Sequence, residues 1–581
     1  MVEQLSWKVG GQQGEGIEST GEIFAITLNR LGYYLYGYRH FSSRIKGGHT
    51  NNKIRVSTKK VRSIADDLDI LVAFDQETID VNAHELHSKG IVLADAKFNP
   101  KLPEGVDVTL YAVPFTEIAT ELGTSLMKNM VAVGASSAIM NLECEVFRDV
   151  VEEIFSRKGE QVVAKNMEAI VKGAEYVRKQ DKDSLHQMEL AKADGKKRMF
   201  MIGNDAIALG FLAGGCRFMA AYPITPASEI MEYMIKKLPE FGGTVIQTED
   251  EIAAATMSIG ANYAGVRTIT ASAGPGLSLM MESIGLAGIT ETPLVVVDTQ
   301  RGGPSTGLPT KQEQSDLMAM IYGTHGEIPK VVMAPSTVQE AFNDAVEALN
   351  IAEEYQVPVI LLSDLQLSLG KQTVEPLEYD KIDVRRGKLQ EDPQLPELEK
   401  GEYFKRYQVT DDGVSPRILP GTKNGIFHVT GVEHDETGKP SELASNRKAQ
   451  MDKRLRKLKK LPEVFPTPVH KDAKHEVADI LFVGFNSTRG AIEEAKGRLE
   501  EDGYKVNHAQ IRLVHPFPAN EVKALVDHAK KVIVVENNAT AQLANIIKMN
   551  VGSQEKMDSL LQYDGTPFLP GQIHQRSKEL L

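Results

Sequence analysis

The residues best suited to chemistry lie in Ala221-Tyr222-Pro223-Ile224-Thr225-Pro226-Ala227-Ser228-Glu229 and in Gln247-Thr248-Glu249-Asp250-Glu251 just downstream. Each proline fixes its own φ and drives the residue before it into an extended conformation, so Thr225 sits on a stiff turn with a preset side-chain direction. The β-branched run Thr244-Val245-Ile246 predicts a strand, three acids follow, and the small-residue run from Ile252 to Ala261 predicts a helix. An acid at such a helix start is placed where it can be desolvated and given a chemical task.

The elements that must position these residues are buried strands. Residues 267–271, 293–298 and 357–362 are apolar or β-branched and alternate with helical stretches, which predicts a parallel sheet covered on both faces. Ligands bind such sheets at the carboxyl ends of the strands. Thr225, Glu251, the turn Ser272-Ala273-Gly274-Pro275-Gly276 and Arg301 each follow a predicted strand closely, so they are expected to converge on one edge.

The rest of the chain reads as further α/β structure. In the first segment the strands at 69–74 and 90–94 alternate with helical stretches, which predicts a parallel sheet there too. Leu5-Ser6-Trp7-Lys8-Val9, the glycine-rich Gly10-Gly11-Gln12-Gln13-Gly14-Glu15-Gly16 and a helix from Ile17 give strand, turn and helix. The turn suits a phosphate or another chain's backbone, or else serves tight turn packing alone. Arg44 and Lys46, ahead of a double glycine, offer cations to an anion or lie in a solvated loop. The expected organisation is an α/β domain over residues 1–180, a lysine-rich linker over 181–198 and a second α/β domain over 199–372. An irregular Pro-, Gly- and charge-rich arm over 373–474 and a last α/β domain over 475–581 complete it. Within the arm the sequence predicts a strand at 425–429 and a basic surface helix in the run from Arg447 to Lys460.

A chain of 581 residues exceeds what one core supports. A net charge of -13 argues against a nucleic-acid partner. No apolar run reaches the ~20 residues that span a bilayer, and the N-terminus shows no secretory pattern, so the expectation is a cytoplasmic protein. The two cysteines, Cys144 and Cys216, exclude a four-cysteine cluster or zinc site within this chain. No metal site is expected here.

The motifs Tyr222-Pro223-Ile224-Thr225-Pro226, Glu251 before its helix, and Gln300-Arg301-Gly302-Gly303-Pro304-Ser305-Thr306-Gly307 resemble the alpha subunit of 2-oxoacid:ferredoxin oxidoreductases. The glycine turn with Arg44-Ile45-Lys46-Gly47-Gly48-His49 resembles that family's gamma domain, here fused at the N-terminus, and the last segment is similar to a transketolase C-terminal domain. The resemblance implies oxidative decarboxylation of a 2-oxoacid with coenzyme A, with thiamine diphosphate as electron sink and ferredoxin as acceptor. It implies a beta subunit carrying the diphosphate and Mg2+ site and the [4Fe-4S] cluster, in an α2β2 assembly. In keeping with that, the chain contains no Gly-Asp-Gly start of a diphosphate motif.

Thiamine loses its C2 proton with help from its own aminopyrimidine, whose imino form needs an acid on the ring nitrogen. Glu251 matches that glutamate; Glu249 is the competitor, and a purely structural helix-start role is the alternative for both. Arg301 is expected to hold the substrate carboxylate through a planar guanidinium, or else to pair with an acid of its own domain. Thr225 is expected to hydrogen-bond the substrate, Tyr222 to line the pocket or to pack, and Ser272 and Gly274 to shape the cofactor pocket. Gly14, Gly16, Arg44 and Lys46 are candidates for coenzyme A or for the partner subunit. The resemblance favours 2-oxoglutarate; pyruvate, branched-chain oxoacids and indolepyruvate remain alternatives. A non-catalytic scaffold and a self-sufficient transketolase-like enzyme are the rivals from outside that reading.

Overall fold

The computed structural model describes residues 1–41, 48–180, 188–390 and 393–581. The strand Gln4–Gln12 runs straight through Gly10 and Gly11, where the sequence predicts a turn. Both glycines are packing positions: a Cβ on Gly10 would lie 2.7 Å from Thr78, and one on Gly11 would lie 2.8 Å from Ile17. The chain turns at Gly14 and Gly16, with φ of 98° and 81°, a left-handed backbone that glycine alone adopts without strain. The helix Ile17–Arg30 follows and buries Ile23, Phe24 and Leu28.

The chain divides into two units, the first comprising Met1–Met201, Leu369–Pro376 and Leu569–Gly571. Its sheet has eight strands, in the order Thr109–Val113, Leu86–Asp95, Leu68–Ala73, Gln4–Gln12, His49–Ser57, Tyr34–His40, Gln372–Val374 and Met199–Met201. The first four strands pair in parallel and the rest antiparallel, so the sheet is mixed where the sequence predicts a parallel one. Gln372–Val374 covers the open edge of Tyr34–His40 and Met199–Met201 pairs with Gln372–Val374 in turn, although the sequence places these segments at the two ends of the second domain. A short covering strand of this kind satisfies an edge that would otherwise invite pairing with another chain. The core centres on Trp7 stacked on Phe24, ring centroids 4.3 Å apart.

The second unit comprises Ile202–Ser368, Leu377–Phe568 and Gln572–Leu581 and contains two sheets. The larger runs in the order Leu513–His515, Val331–Met333, Pro358–Asp364, Leu294–Gln300, Thr268–Ser272, Phe218–Ala221 and Thr244–Gln247. All its pairs are parallel except the first, so the carboxyl ends of the six parallel strands share one edge. The smaller sheet orders Val469–Asp472, Val506–Ile511, Ala478–Phe485, Ala529–Glu536 and Met557–Leu561. One continuous core joins the two, running from Leu277, Val296 and Ile360 to Val483, Ile511 and Val534.

The arm is not a loose wrap. No strand forms at 425–429. The basic helix Ala444–Arg456 lies at the surface as the sequence predicts, but it turns cations inward: Lys453 and Arg454 are buried, as is Lys457 just beyond it. The Lys453 and Lys457 ammoniums lie 2.5 Å and 2.6 Å from the two oxygens of Glu291, itself fully buried. Burial alone would raise that carboxyl, but Lys457 and Lys453 overcome it and hold it down at about 2. A second buried carboxylate, Glu353, takes Arg267 at 2.9 Å and the arm residues Arg386 and Arg417 at 2.7 and 3.1 Å. These partners lie far apart in sequence, which is why a local reading sees only a solvated basic run.

Among the described residues no helix is long and apolar enough to cross a membrane.

Candidate active site at the carboxyl edge of the parallel sheet

Glu251 is the first residue of the helix Glu251–Tyr263. The preceding Asp250 caps it, accepting from the Ala253 N–H at 2.8 Å, which leaves Glu251 free of capping duty. Glu251 is 7% exposed, whereas Glu249 is solvent-exposed. The Glu251 carboxylate lies against the start of the next helix, Gly274–Ile289. A Cβ on Gly276 would fall 2.7 Å from Glu251 Oε1 and 2.0 Å from Ser272 Oγ, so only glycine allows the three to meet. Ser272 ends the strand Thr268–Ser272, and its buried hydroxyl has no hydrogen-bond partner.

Arg301 follows the strand Leu294–Gln300 and is 6% exposed. Its terminal nitrogens donate to the backbone carbonyls of Thr225 and Thr306, and its buried Nε has no partner. Among the described residues it forms no ion pair, against the alternative of an intradomain pair. Burial lowers the guanidinium below its ordinary range, and Asp316 opposes that. A guanidinium has five N–H donors; with two engaged, enough remain for a bidentate carboxylate.

Glu251 and Ser272 therefore both flank Gly276, and Arg301 meets the Thr225 carbonyl rather than its hydroxyl. Thr225 is joined to Pro226 by a cis peptide bond, and the Asn204 side chain donates to the Pro226 carbonyl at 2.7 Å. Tyr222 is 40% exposed beside this turn, which favours lining over packing. Gly274 supports a residue that sequence reasoning passed over: a Cβ there would lie 2.6 and 2.7 Å from the two oxygens of Asp316. Asp298, directly after the apolar run Leu294–Val297 of the buried strand Leu294–Gln300, was passed over too; an acid closing such a run is the signal that could have exposed it.

The segment carrying Arg301 is clamped by strand ends of both sheets of the second unit. Gln300 donates to the Ser363 carbonyl and to Asn486 Oδ1 at 3.2 and 3.3 Å. Gln314 donates to Asp364 at 2.8 Å, and its own side-chain oxygen accepts from the Asn537 N–H at 2.9 Å. Buried amides satisfied at both ends fix a loop more firmly than apolar contact alone. In the first unit Gly14 and Gly16 line a cleft with Arg39, Phe41 and Asn52. Arg44 and Lys46 lie outside the described residues.

Three family models match. Residues 209–453 fit the thiamine diphosphate-binding domain of pyruvate flavodoxin/ferredoxin oxidoreductase, residues 6–176 fit pyruvate ferredoxin/flavodoxin oxidoreductase, and residues 478–573 fit its core domain II. The 2-oxoacid:ferredoxin oxidoreductase subunit alpha of a Sulfolobus species is 35% identical over 98% of this chain and 96% of its own length. This chain belongs to the 2-oxoacid:ferredoxin oxidoreductase alpha-subunit family. A 2-oxoglutarate synthase subunit KorA from Methanothermobacter thermautotrophicus is 38% identical over 66% of this chain and 96% of its own length. The solved 2-oxoglutarate:ferredoxin oxidoreductase of Magnetococcus marinus, with 2-oxoglutarate, coenzyme A and succinyl-CoA bound, superposes at a TM-score of 0.92 with 36% identity over both whole chains. The 2-oxoacid:ferredoxin oxidoreductase fold thus accounts for the α/β architecture, and Glu251 and Arg301 lie in its thiamine diphosphate-binding domain.

Proposed function

We propose that this alpha subunit oxidatively decarboxylates 2-oxoglutarate with coenzyme A to succinyl-CoA and CO2. Electrons leave for ferredoxin through a [4Fe-4S] cluster on a beta subunit, which also holds the diphosphate and Mg2+, in an α2β2 assembly in the cytoplasm. The observation that carries this reading is the whole-length likeness to the Magnetococcus marinus enzyme, whose bound molecules are the substrate, co-substrate and product of that reaction.

The residues present fit the pyrimidine end of thiamine diphosphate. Glu251 offers a buried carboxylate, Ser272 a buried hydroxyl without a partner, and Gly276 a surface with no side chain in the way. The cofactor, when bound, supplies the carbon nucleophile and the electron sink. Glu251 holds a proton at its carboxylate for the pyrimidine ring, in a pocket where water is largely excluded. Arg301 takes the substrate carboxylate with its unused donors and so orients the 2-oxo carbon. The rigid Thr225–Pro226 turn, held through Asn204, keeps Arg301 aimed through its carbonyl contact. Tyr222 closes the outer rim. Gly14 and Gly16, in a cleft with Arg39, are the coenzyme A candidates of the first unit.

The test is an anaerobic assay of this chain co-expressed with its beta partner, supplied with coenzyme A and a low-potential dye. 2-Oxoglutarate and pyruvate are compared side by side, with Glu251→Gln as control. A clear preference for 2-oxoglutarate and an inactive control uphold the reading. A preference for pyruvate, the substrate named by the matching family models, moves the specificity and leaves the reaction class in place. Full activity in Glu251→Gln removes Glu251 from the site.

A further inference from the structure

Behind Arg301 lie two acids that the scheme above leaves idle. Asp298 is fully buried near the end of the strand Leu294–Gln300, and among the described residues neither of its carboxylate oxygens has a hydrogen-bond partner. Asp316 lies just before the helix Leu317–Tyr322, with its carboxylate resting on the Gly274 backbone and its Oδ2 buried without a partner. Arg301 Nε is also buried without a hydrogen-bond partner among the described residues. Two acids that act on one another and a guanidinium that acts on Asp316 are thus left open.

The surroundings of Asp316 decide its charge. Asp298 faces it from the strand, Glu313 from the preceding loop and Arg301 from the strand end. The first turn of the helix Gly274–Ile289 brings no charged or titratable side chain, and the helix Gln542–Val551 brings the neutral Gln542, which accepts from Met318 N–H. Burial and then Glu313 push Asp316 up to about 6, while Arg301 pulls it down. Burial, reinforced by Asp316, pushes Asp298 well above the ordinary carboxylate range. Two neighbouring buried carboxylates do not both stay ionised.

We propose that Asp316 and Asp298 form a proton-holding pair that takes up a proton when the 2-oxoacid carboxylate engages Arg301, which makes Asp316 a positioning residue that sets substrate affinity through charge. The inference rests on the reading that Arg301 receives the substrate carboxylate. While Asp316 is ionised, the guanidinium already has a counter-charge, and an incoming carboxylate adds a second anion competing for it. A proton from solvent onto the Asp316 carboxylate removes that competitor, and Arg301 stays protonated throughout.

The sign of the pH dependence follows. Below about 6 Asp316 already holds its proton, and affinity for the 2-oxoacid is independent of pH. Above that value binding must draw a proton from an increasingly alkaline solution, so KM rises by up to about tenfold per pH unit.

The experiment is the KM for the 2-oxoacid across this range in the holoenzyme, for wild type and for Asp316→Asn. Wild type is expected to show the climb and Asp316→Asn a low, flat KM, since asparagine imitates the protonated acid. A merely structural role would raise KM at every pH and leave the slope intact. A flat wild-type KM, or the wild-type slope in Asp316→Asn, overturns the inference while turnover still stands. Wild type without turnover on any 2-oxoacid fails the functional reading, and this inference with it. Should Asp316→Asn not fold, wild-type holoenzyme is titrated with N-oxalylglycine, a 2-oxoglutarate analogue that does not decarboxylate, in buffers of different ionisation enthalpy. Uptake approaching one proton per site near neutral pH supports the pair; no uptake overturns it.

Discussion

Around Glu291 the second unit buries three charges that all find one another: the carboxylate meets Lys453 and Lys457, and all three side chains are sealed from water. Around Arg301 it buries charge and leaves it open, with Arg301 Nε, Ser272 Oγ, Asp298 and one oxygen of Asp316 unmatched. Both regions pay for desolvation. The first recovers it internally, as a structural ion cluster must, because a buried charge without its partner is costly. The second keeps hydrogen-bonding capacity unspent at the edge where strand ends converge, which is what a site awaiting ligand requires.

The sharpest way to break this contrast is Glu251→Gln. A lost acid–base group lowers kcat by roughly 10²–10⁴-fold, with the unfolding midpoint unchanged. Steady-state kinetics beside a denaturant curve separate the two, and a large stability loss with kcat intact would move Glu251 into the structural class. Glu291→Gln is expected to do the reverse: it strands two buried ammoniums and costs roughly 3–5 kcal/mol in urea unfolding, with KM unaltered in the enzyme that remains folded.

The same cluster carries a pH signature. The folded Glu291 carboxyl sits at about 2, below its ordinary ~4.3, so its stabilisation is fully present above the ordinary value and is lost as pH falls toward 2. Wild type should lose stability over that window, and Glu291→Gln should lack this component of the slope.

Smaller effects sharpen the comparison. Gly276→Ala places a Cβ against Ser272 Oγ and Glu251 Oε1, and a displacement on that scale is expected to lower kcat by roughly 10²-fold with little change in stability. Arg386→Ala removes one of three guanidiniums from Glu353, and as a partly exposed member of that set it is expected to cost about 1 kcal/mol or less in the same unfolding assay. A larger loss would mean that the arm depends on this contact more than on the buried Arg267 and Arg417.

The edge carrying Thr225, Glu251, Ser272 and Arg301 was legible because each follows a strand whose apolar or β-branched run announces itself locally. The choice of Glu251 over Glu249 was only partly legible: both acids stand in one short segment, and burial against Gly276 separates them. Asp316 left no mark, since its relation to Asp298 depends on a loop returning to the sheet. The arm misled because Lys453 and Lys457 look like surface lysines until Glu291, 162 residues before the first of them, comes into contact.

The amino-acid order by itself determined the alternation of strands and helices, the parallel sheet of the second unit and the stiff proline turn, because these follow from periodicity and backbone restriction within a few residues. Tertiary structure alone decided which charges are matched and which stay open, because pairing a buried charge requires groups distant in sequence to meet where water is excluded.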